Sequence, residues 1–408
     1  MGVLSHLTIQ FPLDIMGLGP LGSALLVLTA IIGLLTSVYL LRWSGGGHML
    51  LLVVFFIALG LVFFGVDNVL LFYGLWAVAF FLFAWGIGQL GANTLTLPLT
   101  LGGVVGSLAM LASLLILVRE NGGYGISTMR GTGVEWVSLL ILAAILTKVV
   151  VLVGFAWRGG NQPVASAAGA FLVTGGVFVI GIHPFTRLLL GVFGEFTYWR
   201  EVMVWIGLGG GVLLSLAALG EDNAHRVLAY GALAQLLVVF AALALPADRG
   251  LAGIWLVVVV YGLSMASLYL ALGLVEVRTG EASLANLGGL GVVMPGTAVV
   301  ALIGGLALAG IPPLGQFIGQ MLLLSSLLEL SSPWPAVLYF AVLVLTLLYL
   351  VRWYGGLFFG AVSHPGPRPG SVFSGGAMAI AVVLLGLMTS LPFWARGVVE
   401  PIVEQLLK

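Results

Sequence analysis

Cysteine is absent from this chain of 408 residues, and lysine nearly so, with only Lys148 and Lys408 present. Without cysteine there are no disulfides, thiolate metal ligands or thiol nucleophiles, and nothing marks a redox compartment. Charged residues make up 7% of the chain against 61% hydrophobic, too few to cover a soluble domain of this size. The formal net charge is zero, so no nucleic acid or anionic surface is indicated as a partner. The N-terminal MGVLSHLTIQFPLDIMGLG has no basic segment leading into an apolar core and a small-residue cleavage site, so no cleavable signal is expected. A P-loop, a GxSxG elbow, a dinucleotide fingerprint and a His/Asp/Glu cluster with metal spacing are also missing. No soluble-type catalysis, cofactor, metal or quinone site is read from the chain.

What remains is apolar sequence in runs of about 20 residues, each long enough to cross a hydrocarbon core of roughly 30 Å. Such runs lie near 21–41, 48–67, 69–90, 97–118, 136–157, 163–185, 201–219, 225–245, 251–275, 293–310, 314–331, 335–356 and 376–396. Lipid requires the backbone to satisfy its own hydrogen bonds, so evenly apolar runs of this length are helices. The expected fold is an all-α polytopic membrane protein of about thirteen transmembrane helices. The 60 glycines suit close helix–helix approach. On this reading Arg42, Arg158, Arg226, Arg278 and Arg396 fall on one side; Arg119, Arg130, Arg187, Arg200, Arg249, Arg352 and Arg368 fall on the other. That balance sets no orientation by the positive-inside rule.

An ionisable residue inside a span costs roughly 2.5–3.5 kcal/mol on insertion scales, so each is a functional candidate. Lys148, in ILAAILTKVVVLVGFAW, is nearest a span centre. Two readings stand for it: a buried lysine that is paired or water-connected and exchanges a proton, or a structural residue that snorkels. In LGEDNAHRVLAY, the residues Glu221, Asp222, His225 and Arg226 sit at the mouth of a span. The acids complement a helix dipole there, and His225 is of the type that titrates near neutrality. In LAGIPPLGQFIGQMLLL, Pro312 and Pro313 interrupt the helix. Either a broken helix lines a cavity, with Gln316 and Gln320 on one face, or a loop joins two ordinary spans. His183, Pro184 and the 187–201 stretch read as an interfacial connection, and Trp157, Trp199, Trp205 and Trp353 as an aromatic belt.

Taken in order, these stretches resemble the antiporter-like membrane subunits shared by respiratory complex I, Mrp-type cation/proton antiporters and membrane-bound hydrogenases. FPLDIMGLGPLGSALLVLTAIIGLLTSVY is similar to the family's D-x-L-S stretch, which implies that the first two helices of longer members are missing. NVLLFYGLWAVAFFLFAWGIG resembles the L-F-x-x-W-E helix, TKVVVLVGFAW the G-K-x-x-x-x-P-x-x-x-W helix, and PVASAAGAFLVTGGVFVI the segment after it. HRVLAYGALAQL is close to K-R-x-L-A-Y-S-S-x-x-Q, and GIPPLGQFIGQ to G-L-P-P-x-x-G-F-x-x-K.

The resemblance implies two inverted five-helix repeats, about 48–185 and 201–331, with C-terminal helices 335–356 and 376–396. Each repeat would hold a broken helix, at about 136–157 and 300–331. It also implies a membrane-central line of charged residues for proton movement. Here the glutamate of that line reads Ala77, the H-x-x-x-K pair reads Tyr261 and Met265, and the lysine past the second break reads Gln320. The lysine of K-R-x-L-A-Y reads His225, the proline of the first broken helix reads Val153, and Lys148 alone keeps its position.

The resemblance thus implies a membrane subunit of a complex coupling redox or ion gradients to movement of protons or Na⁺. Its partners would be other membrane subunits and the bilayer of a prokaryotic inner or plasma membrane, its proton path degraded and its role partly structural. Two alternatives remain: a free-standing transporter or channel, and a membrane partner for a separate CO₂-hydration or hydrogenase subunit.

Overall fold

The computed structural model describes residues 19–40, 46–88, 93–131, 135–156, 169–193, 198–245 and 247–362. Twelve long helical segments carry nearly all of them: α1 Gly19–Leu40, α2 Gly46–Phe63, α3 Val69–Gly88, α4 Asn93–Asn121, α5 Glu135–Ala156 and α6 Gly169–Phe193. They continue as α7 Tyr198–Gly220, α8 Ala224–Leu243, α9 Ala247–Thr279, α10 Pro295–Leu308, α11 Gly315–Leu328 and α12 Trp334–Phe358. The protein is an all-α polytopic membrane protein. Twelve of the expected spans meet a helix; the thirteenth, 376–396, lies outside the described residues, as does Trp157.

Burial sorts the helices by composition. Leu101, Val105, Leu108 and Leu115 form an exposed stripe on α4, spaced at whole turns; in water such a face would be costly, and in lipid it is the solvent-facing side. In contrast α9 is enclosed, with Trp255, Tyr261, Met265 and Tyr269 all at 2% exposure or less. It packs on α10, α11, α8, α6 and α1, so α9 is the core of the bundle. The backbones of α9 and α11 come into close contact where Gly253 faces Gly319, the small residues allowing the close packing that drives helix association in lipid.

Contacts trace the path of the chain. At one end, the Val69 amide donates to the Tyr124 carbonyl at 2.9 Å, Gly131 to Val192 at 2.9 Å, and the Trp199 indole to Phe193 at 3.1 Å. At the other end, Ala224 donates to Ala282 at 2.8 Å, Gly289 to Phe359 at 2.8 Å, and the Trp353 indole to Ala224 at 3.1 Å. Helix α7 runs between them, and its 23 residues span about 34 Å at 1.5 Å per residue.

The same arrangement occurs at each end. Asn68 accepts from the amides of Leu70 and Leu71 at 3.0 and 3.1 Å, and Asn223 from those of His225 and Arg226 at 3.0 and 3.2 Å. Each asparagine caps its helix and forms an isolated β-bridge to a later turn, Asn68 with Gly125 and Asn223 with Ser283. Beside each asparagine an aspartate is gripped by an arginine from a later helix. Arg187 of α6 reaches Asp67 at 3.4 Å and the Val66 carbonyl at 3.3 Å; Arg352 of α12 binds Asp222 and the Glu221 carbonyl.

Four expectations need correction. Arg352 lies at the same end as Arg226, beside Glu221 and Asp222, because α10 and α11 are two halves of one crossing and α12 returns the chain to Gly289. Trp199 and Trp353 are not belt residues: both are buried, with their indoles donating to the Phe193 and Ala224 carbonyls. His183, Pro184 and Arg187 do not form an interfacial connection. They lie inside α6, much of which is wound with i→i+5 spacing over Leu172–Gly176, Phe178–Ile182 and Phe185–Leu190. The His183 ring is accommodated there among Phe63, Phe64 and Phe72, with centroids 5.0, 4.8 and 5.8 Å away. Nor is there a break within α5: Glu135–Ala156 is continuous, because Val153, unlike a proline, keeps its backbone N–H for the helix.

Candidate functional site

Lys148 is fully buried, and its Nζ has no hydrogen-bond partner among the described residues. Instead it lies 3.5 Å from the centroid of the Trp76 ring and 4.8 Å from that of Phe80. Trp76 and Phe80 stand one turn apart on α3, so they share a face. The Trp76 indole is itself held, donating 2.9 Å to the Ile180 carbonyl in the widely wound part of α6. Phe80 lies so close to Gly103 of α4 that a methyl group there would overlap its ring. A desolvated cation over an aromatic face gains about 2 kcal/mol or more, which offsets much of the roughly 2.5–3.5 kcal/mol that a charge costs inside a span. An aromatic clamp therefore does at Lys148 what a carboxylate would otherwise do.

The second break lies where the prolines place it. α10 ends at Leu308, a turn follows, and α11 begins at Gly315, with the Pro312–Pro313 peptide cis. Gly310 turns the chain with φ of +71°, a conformation costly for other residues. The Gln320 amide packs directly against it, so that a methyl at Gly310 would overlap that side chain. Gln316 and Gln320 share the buried face of α11. The Gln316 amide donates 3.4 Å to the Leu308 carbonyl, while Gln316 Oε1 and Gln320 Nε2 have no partner among the described residues. Both prolines serve the turn; neither glutamine can change charge.

The cluster at 221–226 separates into parts. Glu221 accepts from the Asp222 and Asn223 amides at 3.0 and 3.1 Å and lies 3.7 Å from Arg226. The cap belongs to Asn223, and Asp222 to Arg352. His225 turns inward, and its Nε2 hydrogen-bonds Glu276 of α9, both side chains being 1% exposed. Tyr261 is buried on α9 and donates 3.0 Å to the Val173 carbonyl of α6; Met265 is fully buried one turn on. No group of three His, Cys, Asp or Glu is placed to hold a metal ion among the described residues.

The family model described as NADH:quinone oxidoreductase/Mrp antiporter, TM matches residues 66–346, more than half of the chain, including Lys148, the second break and the His225–Glu276 contact. The chain belongs to that family. Among curated relatives, NADH-quinone oxidoreductase subunit N 2 of Herpetosiphon aurantiacus is 28% identical over 284 residues, 64% of this chain and 51% of that protein. The chain spans about half the length of that relative. Among solved structures, one of respiratory complex I from Thermus thermophilus with bound NADH contains a chain matching at a TM-score of 0.80 and 22% identity, covering 95% of this chain and 85% of that one. One of the Mrp complex from Dietzia sp. matches at 0.77 and 18%, covering 95% and 86%. These likenesses establish the shared fold.

Against the family pattern, the structure brings Lys148 to Trp76, the neighbour of Ala77, rather than to an acid. Gln316 and Gln320 gather at the second break, and His225 leaves its exposed neighbours for Glu276. Three partners were not singled out from sequence: Trp76 for Lys148, Glu276 for His225 and Asp67 for Arg187. Glu276 had a readable signal, an acid at the end of the apolar run LGLVEVRTG. Asp67 had another, the repeated Asp-Asn pair ahead of two spans. Trp76 was marked by the motif resemblance as the residue before Ala77, but nothing in the sequence marked its ring as the partner of Lys148.

Proposed function

We propose that this chain is an antiporter-like membrane subunit of a multi-subunit complex coupling redox chemistry or an ion gradient to movement of protons or Na⁺. In it, axial proton transfer is reduced and part of the role is structural. The aromatic clamp on Lys148 carries the reading. Where the resemblance implies a glutamate–lysine pair able to exchange charge, Ala77 offers no acid and Trp76 and Phe80 hold the amine. Beyond the break, Gln320 hydrogen-bonds without titrating. The matched assemblies, respiratory complex I and the Mrp complex, support neighbouring membrane subunits as partners, and a prokaryotic plasma membrane as location. The duplicated Asp-Asn-Arg arrangement supports two inverted repeats: the first from about 48, extended past 185 to include Arg187, and the second from about 201, extended past 331 to include α12 and Arg352.

The test is isolation from native membranes. Other membrane subunits should copurify, and Lys148→Met should leave assembly intact while lowering coupled proton movement only in part, because a thioether fills the clamp without charge. A stable monomer that transports a solute by itself in liposomes overturns the subunit reading. Unchanged coupling in Lys148→Met leaves the structural role alone. Gln316 Oε1 and Gln320 Nε2, buried and without partners among the described residues, favour a second reading, a polar substrate site at the break of a free-standing transporter, and that liposome result is the one it requires.

A further inference from the structure

His225 and Glu276 are both 1% exposed and in direct hydrogen-bond contact. His225 is the second residue of α8, and Glu276 stands three residues before the end of α9. The pair therefore lies about one helical turn, roughly 5 Å, inside the end of the bundle. An arginine facing Glu276 would make a fixed ion pair; an imidazole nitrogen can either donate or accept, so it can face the acid in either of its protonation states.

The surrounding ionisable groups are accounted for by element. Tyr39 of α1 lies within electrostatic reach of Glu276, and the Tyr269 ring of α9 lies 6.3 Å from that of His225. Arg278 is two residues along α9. On the adjoining turn Glu221 lies beside Arg226, and Asp222 is bound by Arg352 of α12. Of the other helices packed on α8, α5 contributes Lys148, and α7 carries Arg200 and Glu201 at its opposite end. Glu281, on the turn after α9, accepts from the amides of Ala282 and Ser283 and from the Asn286 side chain. Each of these surface acids thus has partners of its own, apart from the His225–Glu276 contact.

We propose that His225 and Glu276 form a proton-exchange site, which takes up and releases one proton at the end of the bundle where α8 begins. This deepens the proposed function by naming a protonatable site apart from Lys148. With one proton the pair is neutral overall, a carboxylic acid donating its hydrogen bond to a neutral imidazole. Releasing it leaves imidazole and carboxylate, a net negative charge buried one turn from water. A buried net charge is costly, so uptake of the proton is coupled to the field in the bundle, and the adjacent surface supplies it.

The test is an infrared difference spectrum of the full chain in lipid, recorded between acid and alkaline pH in H₂O and D₂O. The expected result is a carboxyl band that appears on acidification, shifts in D₂O and is accompanied by an imidazole change. Glu276→Gln should abolish the carboxyl band. His225→Lys, which can still face the acid but has no imidazole, should abolish the imidazole change; Lys148→Met should preserve both. An unaltered spectrum in Glu276→Gln, or a wild-type spectrum without the carboxyl band, overturns the proposal. Should Glu276→Gln fail to fold, Glu276→Asp draws the carboxyl back by one methylene and must move the band; an unmoved band overturns it too. Failure of copurification would undo the subunit reading without touching this spectrum, and a silent pair would leave that reading intact.

Discussion

At Lys148 a single substitution elsewhere decides the chemistry. With Ala77 on α3, the nearest π faces are those of Trp76 and Phe80, at 3.5 and 4.8 Å from the amine. The indole is oriented by its bond to Ile180, a contact that does not involve the cation. If the contact is a true cation–π interaction, Trp76→Leu and Lys148→Met are coupled. In a double-mutant cycle the interaction energy should be about 1–2 kcal/mol, measured by thermal or denaturant unfolding in detergent. An additive cycle would show that the ring only fills space. Packing alone makes Trp76→Leu destabilising by some 2–4 kcal/mol, since the ring is fully buried.

At the scale of elements, the break between α10 and α11 rests on one backbone conformation and one side chain. Gly310 has φ of +71° and lies against Gln320. Gly310→Ala therefore meets two penalties, a left-handed backbone costing roughly 1 kcal/mol or more and an overlap with the glutamine. Gln320→Ala removes the second and not the first. The double variant should recover part of the lost stability, seen as a rise in melting temperature over Gly310→Ala alone; no recovery would show that the overlap relaxes elsewhere. The prolines made this break legible in sequence. The continuity of α5 was legible only as an absence, Val153 where the family pattern has proline, and it took the observed helix to show that no other residue breaks it. The winding of α6 had no local signal: LVTGGVFVIGIHPFTRLLL contains glycines and a proline that suggest irregularity, but not that His183 would be enclosed by Phe63, Phe64 and Phe72.

For the whole molecule, the proposed inverted repeats put five crossings, α3 to α7, between the two Asp-Asn caps and so place them at opposite membrane faces. This chain lends itself to the test because it has no cysteine. Tyr124→Cys and Ala285→Cys place single thiols on exposed positions in the turns bridged to Asn68 and Asn223. A membrane-impermeant thiol reagent added to sealed vesicles should label one and spare the other, and the order should reverse in inverted vesicles. Labelling of both from one side would contradict the inversion.

Composition and run length determined that the protein is helical and membrane-spanning, because a chain with 7% charge cannot cover itself in water and an unpaired backbone cannot remain in lipid. Local chemistry also determined the second break, since two adjacent prolines end a helix in any setting. Which partners the few buried charges took was decided only by tertiary structure. Lys148 meets Trp76 from a helix some 70 residues earlier, and His225 meets Glu276 across 51 residues. Such pairings depend on which helix faces turn inward together, and a uniformly apolar helix carries no pattern that specifies its inward face.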